Sequence, residues 1–149
     1  PQAAARQYEE ELLAFFGGMP DFDLALLGMG ADGHTASLFP GAVQDLPGWT
    51  AAVEHSQPPP PLLPRVTLTL ASLKRARSVL FLVSGAEKAA MAARVLEGGC
   101  PAAALPAAAV QPLRGSLLWI LDHTAAARLQ PGMAEKYPPE KNRPVIRRK

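Results

Sequence analysis

The sequence predicts a three-layer α/β domain, with helices on both faces of a mostly parallel sheet. Three observations carry this prediction. The spacing of apolar residues alternates between helix-like and strand-like along the chain. Two short apolar runs, Leu24-Ala25-Leu26-Leu27 and Val79-Leu80-Phe81-Leu82-Val83, have the continuous hydrophobicity of strands buried on both faces. Glycine pairs and prolines punctuate the segments between them. With 149 residues, 48% hydrophobic and 19% charged, the chain is large enough for one domain with a core of its own.

The elements follow in order. Tyr8, Leu12, Leu13, Phe15 and Phe16 recur at helical spacing opposite Glu9, Glu10 and Glu11, and Gly17-Gly18 supplies the stop. A strand is expected over 23–28, a turn at Pro47-Gly48 and a short strand over 50–55. Residues 57–61 form an extended connector, because each proline lacks an amide proton and restricts the residue before it. The alternation Arg65-Val66-Thr67-Leu68-Thr69-Leu70 predicts a half-buried strand, and 71–76 a short helix before the central strand 79–83. Gly85 opens a helix that runs to Glu97 and closes at Gly98-Gly99. A last strand covers 117–121, and Asp122 caps a helix after it. Residues 102–109, interrupted by Pro106, are alanine-rich but too short and broken for a repeat. Residues 1–130 are expected to form the domain, and 131–149 a draped or disordered tail.

Charge and composition exclude several classes. The formal net charge is +2, and the 15 basic residues are dispersed except in the last few positions, so nucleic-acid and membrane-surface partners are not expected. No apolar run approaches the roughly 20 residues of a membrane span, and no secretory signal is visible at the start. The single cysteine, Cys100, has no intramolecular partner and reads as an inert thiol. A cytoplasmic protein is the expectation. Three histidines and one cysteine at these spacings give no metal site, and no cofactor is expected.

Chemistry concentrates in Gly28-Met29-Gly30-Ala31-Asp32-Gly33-His34-Thr35-Ala36-Ser37-Leu38-Phe39, directly after the strand 23–28, where open α/β sheets place their ligands. His34 offers a base, since a free imidazole titrates near 6.5. Asp32, two residues earlier, is placed to orient it or to hold its own turn as an Asx-turn. The glycines allow a tight bend through which backbone amides approach an oxyanion or phosphate. Thr35 and Ser37 add hydroxyls. Lys88, in the first helical turn after Gly85, and Arg65, at the start of its strand, are cations suited to a phosphate. His55 and His123 read as structural or surface residues. Gly28, Gly30 and Gly33 formally satisfy G-x-G-x-x-G, but Phe39-Pro40-Gly41 breaks the chain where a dinucleotide-binding turn runs into a helix.

The stretch Leu26-Leu27-Gly28-Met29-Gly30-Ala31-Asp32-Gly33-His34-Thr35-Ala36-Ser37-Leu38-Phe39-Pro40-Gly41 resembles the signature of the 6-phosphogluconolactonases, which share a superfamily with glucosamine-6-phosphate deaminases. Pro64-Arg65-Val66-Thr67-Leu68-Thr69-Leu70, Val79-Leu80-Phe81-Leu82-Val83-Ser84-Gly85-Ala86-Glu87-Lys88-Ala89 and Leu118-Trp119-Ile120-Leu121-Asp122 are similar to family segments in the same order.

The resemblance implies hydrolysis of 6-phospho-glucono-1,5-lactone in the oxidative pentose phosphate route. His34 would be the general base for water, Asp32 its partner, and Gly30, Gly33, Thr35, Ser37, Arg65 and Lys88 the substrate-binding set. In the deaminases a Phe-Asn-Glu-Pro type segment supplies a glutamate; here the corresponding stretch is Ser37-Leu38-Phe39-Pro40, which favours the lactonase. The family also carries an N-terminal Gly-Gly-Ser-Thr-Pro type phosphate loop and a Gly-Asp-Glu-Arg type segment that do not occur here. The chain therefore resembles the C-terminal half to two-thirds of the fold, without its N-terminal strands. Two alternatives stand beside this reading: a non-catalytic fragment or subunit lacking the phosphate loop, and an amino-sugar-phosphate isomerase/deaminase. A partner chain or second copy covering the open sheet edge is also expected.

Overall fold

The computed structural model describes residues 1–41, 46–54, 63–98, 104–133, 135–137 and 143–148. Helix α1, Gln2–Phe16, ends where Gly17 takes a left-handed φ of 66° and the Gly18 amide donates back to the Leu13 carbonyl at 3.0 Å. Strand β1, Ala25–Leu27, pairs in parallel with β4, Ser78–Val83, which pairs in parallel with β5, Ser116–Leu121. Strands β2, Thr50–Glu54, and β3, Pro64–Leu68, form a separate antiparallel pair.

One face of the main sheet is packed. Val79, Phe81 and Val83 of β4 alternate inward with Leu117, Trp119 and Leu121 of β5, and the Phe81 and Trp119 rings stack at 3.9 Å with nearly parallel planes. Three helices join this core: α2, Leu70–Arg75, through Leu73; α3, Ala89–Leu96, through Ala92, Val95 and Leu96; and α4, Pro106–Ala109, through Ala107 and Ala108. The α/β class and the mostly parallel sheet are as the sequence predicts. The opposite face is less covered: Leu26 is 59% exposed and Leu82 46% exposed. β1 stands at one end of the sheet, with β4 as its neighbour.

Several elements differ from the sequence reading. Helix α3 is preceded by a separate 3-10 turn at Ala86–Lys88, so the expected continuous helix from Gly85 is split. Pro106, read as an interruption, occupies the first turn of α4, where its missing amide proton costs nothing. Residues 122–133, after β5, form a set of turns rather than the expected helix. Asp122 still caps them: its Oδ1 accepts from the Ala125 amide at 2.7 Å and the Thr124 hydroxyl at 2.9 Å.

Within the segment read as a draped or disordered tail, residues 135–137 and 143–148 form strands. Strand β7, Arg143–Arg148, pairs antiparallel with β5, and β6, Glu135–Tyr137, pairs antiparallel with β7. The outer edge of β5 offers a row of backbone donors and acceptors, and a strand from the same chain satisfies them. The connector 57–61, His55 and Cys100 lie outside the described residues.

Candidate active site

β1, β4 and β5 run in parallel, so their carboxyl ends share one edge of the sheet. The loop from Gly28 to Phe39 leaves β1 there, Ser84 and Gly85 leave β4, and Asp122 follows β5. Asp122 Oδ2 accepts from the Gly85 amide at 3.0 Å and so ties two of these exits together. Hydrogen bonds from the Ala125 amide outweigh the burial cost and hold its carboxyl below the ordinary aspartate range, with the Thr124 hydroxyl and the Gly85 amide contributing.

The loop after β1 closes on itself. The Gly30 amide donates to the His34 carbonyl at 2.9 Å, and the Gly33 amide to the Gly30 carbonyl at 3.0 Å. Thr35 and Leu38 exchange backbone hydrogen bonds at 3.3 and 2.9 Å. Gly33 has φ +87°, and a Cβ there would lie 2.9 Å from Leu105 Cδ2 and 3.1 Å from Met91 Sδ. At Gly30 a Cβ would fall onto the His34 ring and the Asp32 carboxylate. The chain then turns into the Thr35–Leu38 bridge rather than a helix, as the reading against a dinucleotide fold expects.

His34 Nδ1 lies 2.6 Å from Asp32 Oδ1, and the same oxygen accepts from the His34 amide at 3.1 Å. The two roles weighed for Asp32 therefore coexist, because one carboxylate oxygen closes an Asx-turn and holds the imidazole. Burial pushes the Asp32 carboxyl up. The amide, ring and charge of His34 outweigh that push and hold it below its ordinary value. With Nδ1–H donated to Asp32, Nε2 is left as the basic nitrogen. The His34 side chain is 33% exposed and Asp32 50% exposed, so the pair is open to solvent.

Phe39 flanks the imidazole, with centroids 4.9 Å apart, and the Arg65 guanidinium lies 5.8 Å from the Phe39 ring centre. Arg65 of β3 is thereby brought within one ring of His34. The Ser37 amide donates to Thr67 Oγ1 at 3.1 Å, which fastens the loop to β3. Lys88 sits half-buried one helical turn before Met91, the residue against Gly33, so the start of α3 flanks the same loop.

Three expected substrate contacts are corrected. Thr35 is 1% exposed and its hydroxyl donates to the Gly28 carbonyl at 2.8 Å, so it braces the loop and does not reach a ligand. The amides of Gly30 and Gly33 are spent inside the loop, so these glycines supply shape rather than donors. Phe39 and Thr67 adjoin the candidate site without any pattern in the sequence that marks them. Phe39 lay inside the motif, but nothing in its spacing marks a ring that packs on His34. His123 is exposed, as expected of a surface residue. Among the described residues no three His, Cys, Asp or Glu side chains cluster as metal ligands, and no helix is long and apolar enough to cross a membrane.

The chain is 48% identical over 138 residues to the 6-phosphogluconolactonase of Rattus norvegicus, covering 90% of this chain and 52% of that protein. It is 46% identical over 140 residues to the 6-phosphogluconolactonase of Homo sapiens, covering 91% of this chain and 53% of that protein. The three-dimensional structure of 6-phosphogluconolactonase from Trypanosoma brucei superimposes with a TM-score of 0.71 at 31% identity, over 85% of this chain and 52% of that one. The chain thus spans about half the length of the relatives it matches. Residues 1–119 match the model of the glucosamine-6-phosphate isomerases/6-phosphogluconolactonase family, and the chain belongs to that family.

Proposed function

We propose that this chain carries the acid–base half of a lactonase site, which hydrolyses 6-phospho-glucono-1,5-lactone to 6-phosphogluconate in the oxidative pentose phosphate route. The carrying observation is the His34–Asp32 pair, 2.6 Å apart and open to solvent at the carboxyl edge of a parallel sheet. The 6-phosphogluconolactonases it resembles at 45–48% identity support the choice of substrate.

His34 Nε2 takes a proton from water as the oxygen attacks the lactone carbonyl carbon. The tetrahedral oxyanion collapses, the ring ester bond breaks, and the departing ring oxygen receives the proton from the imidazolium. Asp32 holds the ring's tautomer and stabilises the imidazolium without taking the proton. Lys88 and Arg65 bind the anionic phosphate, and Ser37 contributes a hydroxyl. A phosphorylated sugar does not cross membranes unaided, so a cytoplasmic setting belongs to the same reading.

The reading includes a partner. Parallel sheets are covered on both faces, whereas here Leu26 and Leu82 are exposed and β1 ends the sheet. A second polypeptide segment that adds a strand beside β1 and shields this face completes the sheet. Light scattering tests whether that segment comes from a second copy, which gives a mass of two chains.

The decisive experiment is His34→Ala. Lactone hydrolysis above the spontaneous background should fall by about 10²-fold or more, the scale of a lost general base. An unchanged rate overturns the assignment.

A further inference from the structure

At the amino end of the parallel strands, opposite the His34 loop, a cleft of about 590 Å³ is lined by Met19, Asp21, Arg75, Arg77, Leu113 and Arg114. Arg77 directly precedes β4, Arg114 lies two residues before β5, and Asp21 lies four before β1. Three guanidinium groups face one carboxylate in a single depression, and nothing in the proposed lactone chemistry uses them.

The walls are stitched together by backbone hydrogen bonds. The Arg77 amide donates to the Phe22 carbonyl at 2.8 Å, the Leu113 amide to the Lys74 carbonyl at 2.8 Å, and the Ser116 amide to the Arg77 carbonyl at 3.1 Å. Gly115 has no room for a Cβ against the Arg77 carbonyl, so the segment bearing Arg114 lies tight against the one bearing Arg77. Such a frame fixes the arginine backbones before any ligand arrives and reduces the entropy lost on binding.

The ion pairing leaves accessible donors on Arg77 and Arg114. Arg75 reaches Asp21 at 2.5 Å and lies over the Trp49 ring at 5.9 Å, yet its Nε is buried with no hydrogen-bond partner among the described residues. Arg77 pairs with Asp23 at 2.9 Å through one terminal nitrogen, with both side chains largely exposed, so that pair is weak and easily exchanged. Arg114 is exposed and makes no ion pair among the described residues. Planar guanidinium forks match phosphate oxygens in bidentate geometry. Met19 and Leu113, 55% and 70% exposed, give the same cleft an apolar rim.

The geometry points to a second anion site, one that takes a nucleoside polyphosphate: phosphates on Arg75, Arg77 and Arg114, and the base against Met19 and Leu113. The volume lies within the range of small-molecule pockets. Because the cleft is at the other end of the strands, its ligand binds without competing for the lactone site.

Calorimetric titration of the full chain with ATP, inorganic tripolyphosphate and adenosine tests this. ATP should saturate at one site, tripolyphosphate should bind several-fold more weakly for want of the rim contact, and adenosine should not bind detectably. Arg114→Ala, which removes a side chain with no ion pair, should weaken ATP about tenfold, the scale of one charged hydrogen bond. Lys88→Ala should leave ATP affinity unchanged. Failure of ATP to saturate, equal affinity for wild type and Arg114→Ala, or loss of binding in Lys88→Ala overturns the proposal. The last result would place the anion at the carboxyl edge.

Discussion

Oδ1 of Asp32 accepts two hydrogen bonds from a single residue, the amide of His34 at 3.1 Å and its ring Nδ1 at 2.6 Å. One atom therefore sets both the bend of the loop and the orientation of the base. Removing it separates the two effects poorly by structure but well by measurement. Asp32→Asn keeps an oxygen for the amide while losing the charge opposite the imidazolium, so turnover should fall by about 10²-fold with KM little changed. Steady-state kinetics on the lactone check this.

The same carboxylate gives a stability signature. The Asp32 pKa is lower in the folded chain than the roughly 3.9 of an unfolded one. Its contribution is therefore fully present above that value and is lost as pH falls through the folded value. Denaturant unfolding at pH 5 and at pH 3 should show a smaller loss for Asp32→Asn than for the wild type. Equal losses would remove Asp32 from the acid response.

Lys88 precedes α3 beside the His34 loop, where the helix amino terminus already favours an anion. Lys88→Ala should raise KM for the phosphorylated lactone about tenfold or more and leave kcat nearly unaltered. A fall in kcat at constant KM would contradict a phosphate-binding role.

Gly30 and Gly33 are three residues apart and should fail differently. A Cβ at Gly30 meets the imidazole and the Asp32 carboxylate, so Gly30→Ala should abolish most activity through a displaced base. Gly33 holds a positive φ against Leu105 and Met91, so Gly33→Ala should cost stability, about 1 kcal/mol or more. Thermal unfolding and activity measured on both variants separate the two.

Thr35 distinguishes bracing of the loop from contact with substrate. Thr35→Val keeps the shape but strands the Gly28 carbonyl, so stability should drop by about 1–3 kcal/mol while KM stays the same. A raised KM with unchanged stability would return Thr35 to the substrate-binding set.

Much of the architecture was legible in the residues. The β4 run Ser78–Val83 and the β5 run Ser116–Leu121 announce themselves because continuous apolar residues are the pattern of strands meant to be covered on both faces, although the chain itself packs only one. Gly17 marks the end of α1 because only a residue without a Cβ enters the left-handed region cheaply. Asp32 and His34 were found together because their partnership is local, two residues apart on one turn.

The sequence by itself determined the class of fold, the order of its central elements and the Asp32–His34 pair proposed as the acid–base groups, all of which rest on short-range pattern. Tertiary structure alone decided which polar groups are free to act. It buried the Thr35 hydroxyl on Gly28, spent the glycine amides inside the loop, set Phe39 between His34 and Arg65, and turned 143–148 into a strand against β5. Each of these depends on residues distant in sequence or on a geometry that sequence spacing does not encode. Availability of a donor is a property of the folded surroundings, not of the residue type.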